Sequence, residues 1–206
     1  MINFKIKSFC KINLYLRVVK KLNNGYHNIR SLISFCNLYD LISVSKIKGN
    51  KDIINFIGSF KKGINQKSNT IVEVLKLLRK NNFLKNQAFK ISIKKNIPHG
   101  SGLGGGSADA AALLNFLNIK MNLKLKKSLI FKIANQIGFD VPIYLLKKNT
   151  LLTGNKRQLI RLNKKFQLNI LIIYPNLICS TKKIFKKNKI FTSINPEIKL
   201  SIQNKN

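Results

Sequence analysis

Residues 94–118 read KKNIPHGSGLGGGSADAAALLNFLN, and how this stretch is read decides the fold. Just upstream, Phe89, Ile91 and Ile93 alternate with polar residues, which predicts a half-buried strand. Five glycines, Gly100, Gly102, Gly104, Gly105 and Gly106, then fall within seven positions, and an alanine-rich helical run opens at Ser107 and continues to about Asn118. Strand, glycine loop and helix together are the layout of an anion cradle. Residues without a Cβ let the backbone approach a phosphate, and the first helical turn offers unpaired N–H groups and the positive end of the helix dipole.

What is missing narrows the kind of loop. A Walker loop needs Lys after its last glycine, and here Ser107 follows Gly106. Gly100, Gly102 and Gly105 spell G-x-G-x-x-G, but residues 113–123 lack the acidic residue that a dinucleotide fold places on the ribose. The Val and the downstream signatures that accompany a protein-kinase loop are absent as well.

Composition bounds the rest. The 206 residues are 45% hydrophobic and hold no apolar run long enough for a membrane span, so one or two small domains of a cytoplasmic protein are expected. Cys10, Cys36 and Cys179 lack metal-ligand spacing and read as incidental thiols of a reducing compartment. The 39 Lys and Arg against 6 Asp and Glu give +33, a balance that suits a polyanion partner. Yet the lysines are scattered in short pairs and form no stripe interleaved with aromatics. They point to compositional drift, with no specific nucleic acid as partner. The scarce carboxylates Asp40, Asp52, Glu73, Asp109, Asp140 and Glu197 are correspondingly informative.

Taken in order, 4–6 and 12–19 read as strands, the second with Ile12, Leu14, Leu16 and Val18 on one face and Lys11, Asn13 and Tyr15 on the other. A turn at 23–25 precedes Tyr26 and His27. Residues 29–45 suggest two strands broken near 37–40, with Asp40 as a turn residue. One short strand is expected at 53–57. Thr70 and Glu73 have capping-box spacing ahead of the apolar face Ile71, Val74, Leu75 and Leu78. Ser128 is a candidate cap for a helix ended by Gly138, and Asp140 before Val141 and Pro142 has the form of an ordinary helix start. A hairpin around Gly154, a strand over 167–174 and a short helix over 180–187 complete the expectations, with a polar tail after Phe191.

In this order the segments FCKINLYL, NNGYHNIRSL, LYDLISV, IPHGSGLGGGSADAAALL and IGFDVPIYL resemble the motifs of the GHMP kinases, from about Phe9 to Phe185. The resemblance implies an α+β GHMP kinase fold. An ATP-binding N-terminal domain over 1–150, of a type also found in ribosomal proteins, would be followed over 151–206 by a truncated ferredoxin-like C-terminal domain without its Gly-rich loop. It also implies an ATP- and Mg²⁺-dependent phosphotransferase with a small-molecule alcohol as acceptor. The Tyr-His element points to a cytidine diphosphate-linked methylerythritol, an acceptor of non-mevalonate isoprenoid synthesis. Asp140 would be the general base and Lys11 the cation beside it. Pro98, His99, Gly100, Ser101, Gly102, Leu103, Gly104, Gly105, Gly106, Ser107 and Ala108 would cradle the ATP phosphates, with Ser107 near the metal and no dedicated protein metal site. Asn69 and Lys95 match adenine-holding positions. For the acceptor, Tyr26 would stack on the cytosine, His27 would hydrogen-bond it, Phe185 would close the sandwich, and Asn13 would position the erythritol part. Lys156 and Arg157 depart from the family pattern. Another small alcohol, or RNA bound by a degraded domain of this fold, are the competing readings.

Overall fold

The computed structural model describes residues 3–23, 25, 27–153, 158–164, 166–176, 184, 187–188 and 190–192. Two long antiparallel strands, β1 (Asn3–Lys21) and β2 (His27–Ile47), form its spine. The break expected in β2 near 37–40 is not there. Asp40 sits inside the strand, opposite Ser8, and is fully buried. Its carboxylate is bonded to other elements, so it needs no turn of its own.

The edge of β2 away from β1 is shared. Residues 41–47 pair with β4 (Ala88–Lys94), which in turn pairs in parallel with β3 (Ile53–Ile57). Residues 31–33 pair with β5 (Thr150–Thr153), which makes a hairpin with β6 (Gln158–Arg161). Between the two stretches, 34–40 has no strand neighbour on that edge. The split is bridged by side chains: Asn96 Nδ2 donates to Tyr39 O at 2.9 Å, and Ser34 Oγ donates to Asn149 at 2.9 Å.

Helices α1 (Thr70–Lys80), α2 (Gly105–Lys120) and α3 (Lys127–Ile137) share a core with the sheet. α1 buries the four residues that its periodicity selects, Ile71, Val74, Leu75 and Leu78, each worth about 1.5–3 kcal/mol when fully buried. Its cap is Asn69, whose side chain accepts from the Ile71 and Val72 N–H groups, so the capping-box register expected from Thr70 is off by one residue. α2 lies at the centre and buries Ala108, Ala111, Leu113, Leu114 and Leu117, as expected of a helix that is apolar around most of its circumference. It starts at Gly105, two residues before Ser107. α3 is preceded by Lys126 in the cap position, where Ser128 was expected, and Gly138 ends it as expected. A single turn, α4 (Val141–Tyr144), follows.

Among the described residues, 167–174 forms no strand and pairs with none, unlike the expectation; Leu171 and Ile173 are more than four-fifths exposed. Among the described residues no helix is long and apolar enough to cross a membrane.

Candidate active site

The β4–α2 loop opens onto a cavity of about 840 Å³. Its wall includes residues 97–102 and 104–107, together with Lys11, Asn13, Asn69, Lys95 and Asp140. The loop has the form of an anion cradle in detail. Gly104 occupies the N-cap position of α2 in the left-handed region, at φ 72°, and no side chain caps the helix. Among the described residues the amides of the first turn therefore have no side-chain capping acceptor, and no acidic residue sits in that turn to repel an anion. A Cβ on Gly104 would lie 1.9 Å from the Tyr144 hydroxyl, so only glycine fits there.

The three parts of the site are tied together at one carbonyl. Leu103 O accepts the backbone N–H of Lys11 at 3.1 Å and the Tyr144 hydroxyl at 3.1 Å. β1, the phosphate loop and α4 thus share one anchor. Burial foremost, and then the charge of Asp140, holds the Tyr144 phenol well above its ordinary value, so it remains a donor. From the other side, the Arg161 guanidinium donates to Pro142 O and Ile143 O, both at 2.7 Å, and burial lowers its pKa. The turn that follows Asp140 is thereby held from two directions.

Asp140 precedes α4 as the Asp-Val-Pro spelling suggests, but its side chain makes no capping bond, so the ordinary helix-start role is not the one it plays. Lys11 is buried to 8% exposure on β1, and its ammonium donates to Asn13 Oδ1 at 2.5 Å. Asn13 passes a hydrogen bond to Ser31 Oγ at 2.6 Å, and Ser31 to Tyr15 O at 2.8 Å. Ser31 was not singled out from the sequence; only the pairing of β1 with β2 brings it here.

β1 also departs from strict alternation. Lys11 and Asn13 line the cavity, but so do Leu16 and Val18, which alternation had placed on the opposite face. A register shift between Asn13 and Tyr15 advances the strand by one residue and turns the later side chains over.

Both residues matched to adenine-holding positions border the cavity. The Asn69 side chain caps its own helix and donates to the Asn65 and Gln66 carbonyls. The Lys95 ammonium lies in a buried ion cluster with Asp40 and Asp109. At the acceptor end, Tyr26 and Phe185 lie outside the described residues. The His27 ring stacks on Phe191, with centroids 6.3 Å apart and planes 14° apart, and the Thr192 N–H is bonded to Val18 O. Phe191, the residue after which the sequence turns polar, is the aromatic that meets His27.

Burial, with Cys36 beside it, pushes the Cys10 thiol up to about 12, consistent with an inert structural thiol; Cys36 is raised too, and Cys179 lies outside the described residues. Among the described residues no group of three or more His, Cys, Asp or Glu could hold a metal ion.

A fold with this loop, and with a lysine and an aspartate on the same cavity, defines a small-molecule kinase architecture, and the comparisons agree. Residues 69–148 match the family model for the GHMP kinases N terminal domain. The chain is 43% identical over 192 residues to a 4-diphosphocytidyl-2-C-methyl-D-erythritol kinase of Pelagibacter ubique, covering 93% of this chain and 67% of that protein. With the enzyme of the same name from Caldicellulosiruptor bescii the identity is 36%, over 88% of this chain and 63% of that one. The chain belongs to the GHMP kinase family.

Within the family its likeness runs to the 4-diphosphocytidyl-2-C-methyl-D-erythritol kinases, of which it spans about two thirds of the length. A crystal structure of 4-(cytidine 5'-diphospho)-2C-methyl-D-erythritol kinase superposes with a TM-score of 0.63 at 27% identity, over 77% of this chain and 55% of that one. A mevalonate kinase, at 16% identity and a TM-score of 0.58 over 78% of this chain and 56% of that one, shares the fold.

Proposed function

We propose that the chain transfers the γ-phosphoryl group of ATP to the 2-hydroxyl of 4-diphosphocytidyl-2-C-methyl-D-erythritol, a step of non-mevalonate isoprenoid precursor synthesis. The observation that carries the reading is the single cavity onto which the uncapped start of α2, Lys11 and Asp140 all open. The relatives' names supply the acceptor.

The loop fits a polyphosphate for a physical reason: among the described residues its first-turn amides have no side-chain capping acceptor, and a Cβ on Gly102 would meet nothing within 4 Å. Mg²⁺, when bound with ATP, would offset phosphate charge. With no carboxylate cluster among the described residues, its ligands would be mainly phosphate oxygens, with Ser107 the nearest candidate hydroxyl. The loop amides would hold the β- and γ-phosphates against the start of α2. Asp140 would take the proton from the attacking hydroxyl. Lys11, oriented by Asn13 and Ser31, would lower that hydroxyl's pKa and offset the charge that develops during transfer. Phosphoryl transfer asks chiefly for positioning and electrostatics, so this sparse set of groups is sufficient.

Residues Tyr26, His27 and Phe185 would bind the cytosine, with Phe191 beside His27. Residues 1–150 would form the ATP-binding half, and a cytoplasmic location accords with a soluble substrate pair. Purified chain given Mg-ATP and the cytidyl acceptor should release ADP in step with acceptor phosphorylation, and Asp140→Ala should abolish that release. Equal background ATP hydrolysis by the two proteins would sink the reading.

A further inference from the structure

Behind the phosphate loop lies an ion cluster to which the proposed reaction assigns no role. Lys95, at the end of β4, is 3% exposed; its ammonium donates to Asp40 Oδ2 and, at 2.7 Å, to Asp109 Oδ2. The other oxygen of Asp40 accepts the backbone N–H groups of Asn96 at 2.6 Å and Ile97 at 2.8 Å, where the loop begins. Asp109 stands one turn into α2, just past the end of the loop, with its side chain buried. The cluster therefore grips both ends of the glycine loop and fastens them to β2. A Cβ on Gly105 would sit 3.2 Å from Asp40 Oδ2 and 3.1 Å from the Ile97 side chain, so the start of the helix rests directly on the cluster.

Of the 6 acidic residues in a chain with 39 basic ones, two are placed here, in the core, away from water. Burying charges is costly, and a hydrophobic set of the same volume often serves stability as well; what an ionic set adds is a fixed arrangement of the segments that carry it. We propose that Lys95, Asp40 and Asp109 form an ionic staple that sets the spacing between the start of the loop and the first turn of α2. They are positioning residues for the ATP phosphates, and they act through the loop amides. The inference rests on the kinase reading above.

The test is calorimetric binding of the non-hydrolysable analogue AMP-PNP with Mg²⁺, on the whole chain and two variants. Asp109→Asn removes one charge at constant size. Asp109→Glu keeps the charge but adds a methylene between helix and ammonium. Both should weaken AMP-PNP by about tenfold or more, the equivalent of roughly 1.4 kcal/mol. A purely structural role would lower the melting temperature and leave the affinity of the folded fraction unchanged. A folded variant that binds like the wild type overturns the staple alone, whereas a wild-type chain that does not bind AMP-PNP overturns the kinase reading with it. In the unliganded wild type, amide exchange at Asn96 and Ile97 should be as slow as within β4. Fast exchange there overturns the proposal whether or not the variants fold.

Discussion

Two sets of lysine and aspartate lie at the cavity of the phosphate loop, and their surroundings differ. Lys95 with Asp40 and Asp109 is closed: the side chains are 4%, 0% and 2% exposed, and their charges are spent on one another and on the loop backbone. Lys11 and Asp140 open onto the cavity, Lys11 steered by a neutral amide and Asp140 left uncommitted to helix capping. In the proposed reaction, identical residue types thus serve as scaffold in one place and as reagents in the other. The partners supplied by the fold make the distinction: the charges of the first set are paired with one another, and Lys11 donates to a neutral amide.

The comparison breaks most sharply at Asp140. The Asp140→Ala loss of turnover should be about 10²–10⁴-fold, the range of a general base, with a melting temperature close to that of the wild type. Lys95→Met should do the reverse in order of severity. It leaves two buried carboxylates facing each other, which should cost about 3–5 kcal/mol in chemical denaturation before any effect on turnover is measured.

The pH dependence sharpens the same contrast. Burial foremost, offset by the Lys95 charge and augmented by that of Asp40, raises Asp109 from its ordinary 3.8 to about 6. Between those values the folded chain holds a proton that the unfolded chain has released, so this group's contribution to stability falls as pH rises through the window. Burial alone would lower Lys95, but the charges of Asp109 and Asp40 outweigh it and the pKa is raised, so the ammonium stays charged throughout. Wild-type unfolding free energy, measured relative to Asp109→Asn, should decline from about pH 4 to about pH 6 and then level. A flat difference would mean that Asp109 is ionised throughout.

The smallest effect belongs to Tyr144→Phe. It removes one hydrogen bond from Leu103 O, which keeps its bond from the Lys11 N–H, so the loss should be about 0.5–1.5 kcal/mol of stability. If the shared carbonyl aligns Asp140 with the loop, kcat should fall further than KM for ATP rises. A unit change in both would leave Tyr144 a packing residue.

Much of this was legible in the chain, because local patterns carry it. The alternation in 89–93, the apolar face of α1, the β3 strand at 53–57 and the hairpin after 150 all appear where periodicity places them. The glycine loop could be read as a phosphate cradle from spacing alone, and the ordered motifs selected the family. Misreadings gathered where a residue's partner lies far along the chain. Asp40 has the composition of a turn residue, but 55 positions separate it from Lys95, and no local pattern links them. The parity of β1 turns over at an irregularity that is set by its pairing with β2.

Residue type and spacing by themselves therefore determined the glycine loop with its flanking strand and helix, and the candidates Lys11 and Asp140 came from the resemblance that the ordered motifs carry. Only the tertiary structure decided which charges would be neutralised against one another in the core. Desolvation and ion pairing depend on neighbours that are brought together by folding, and one-dimensional spacing does not record them.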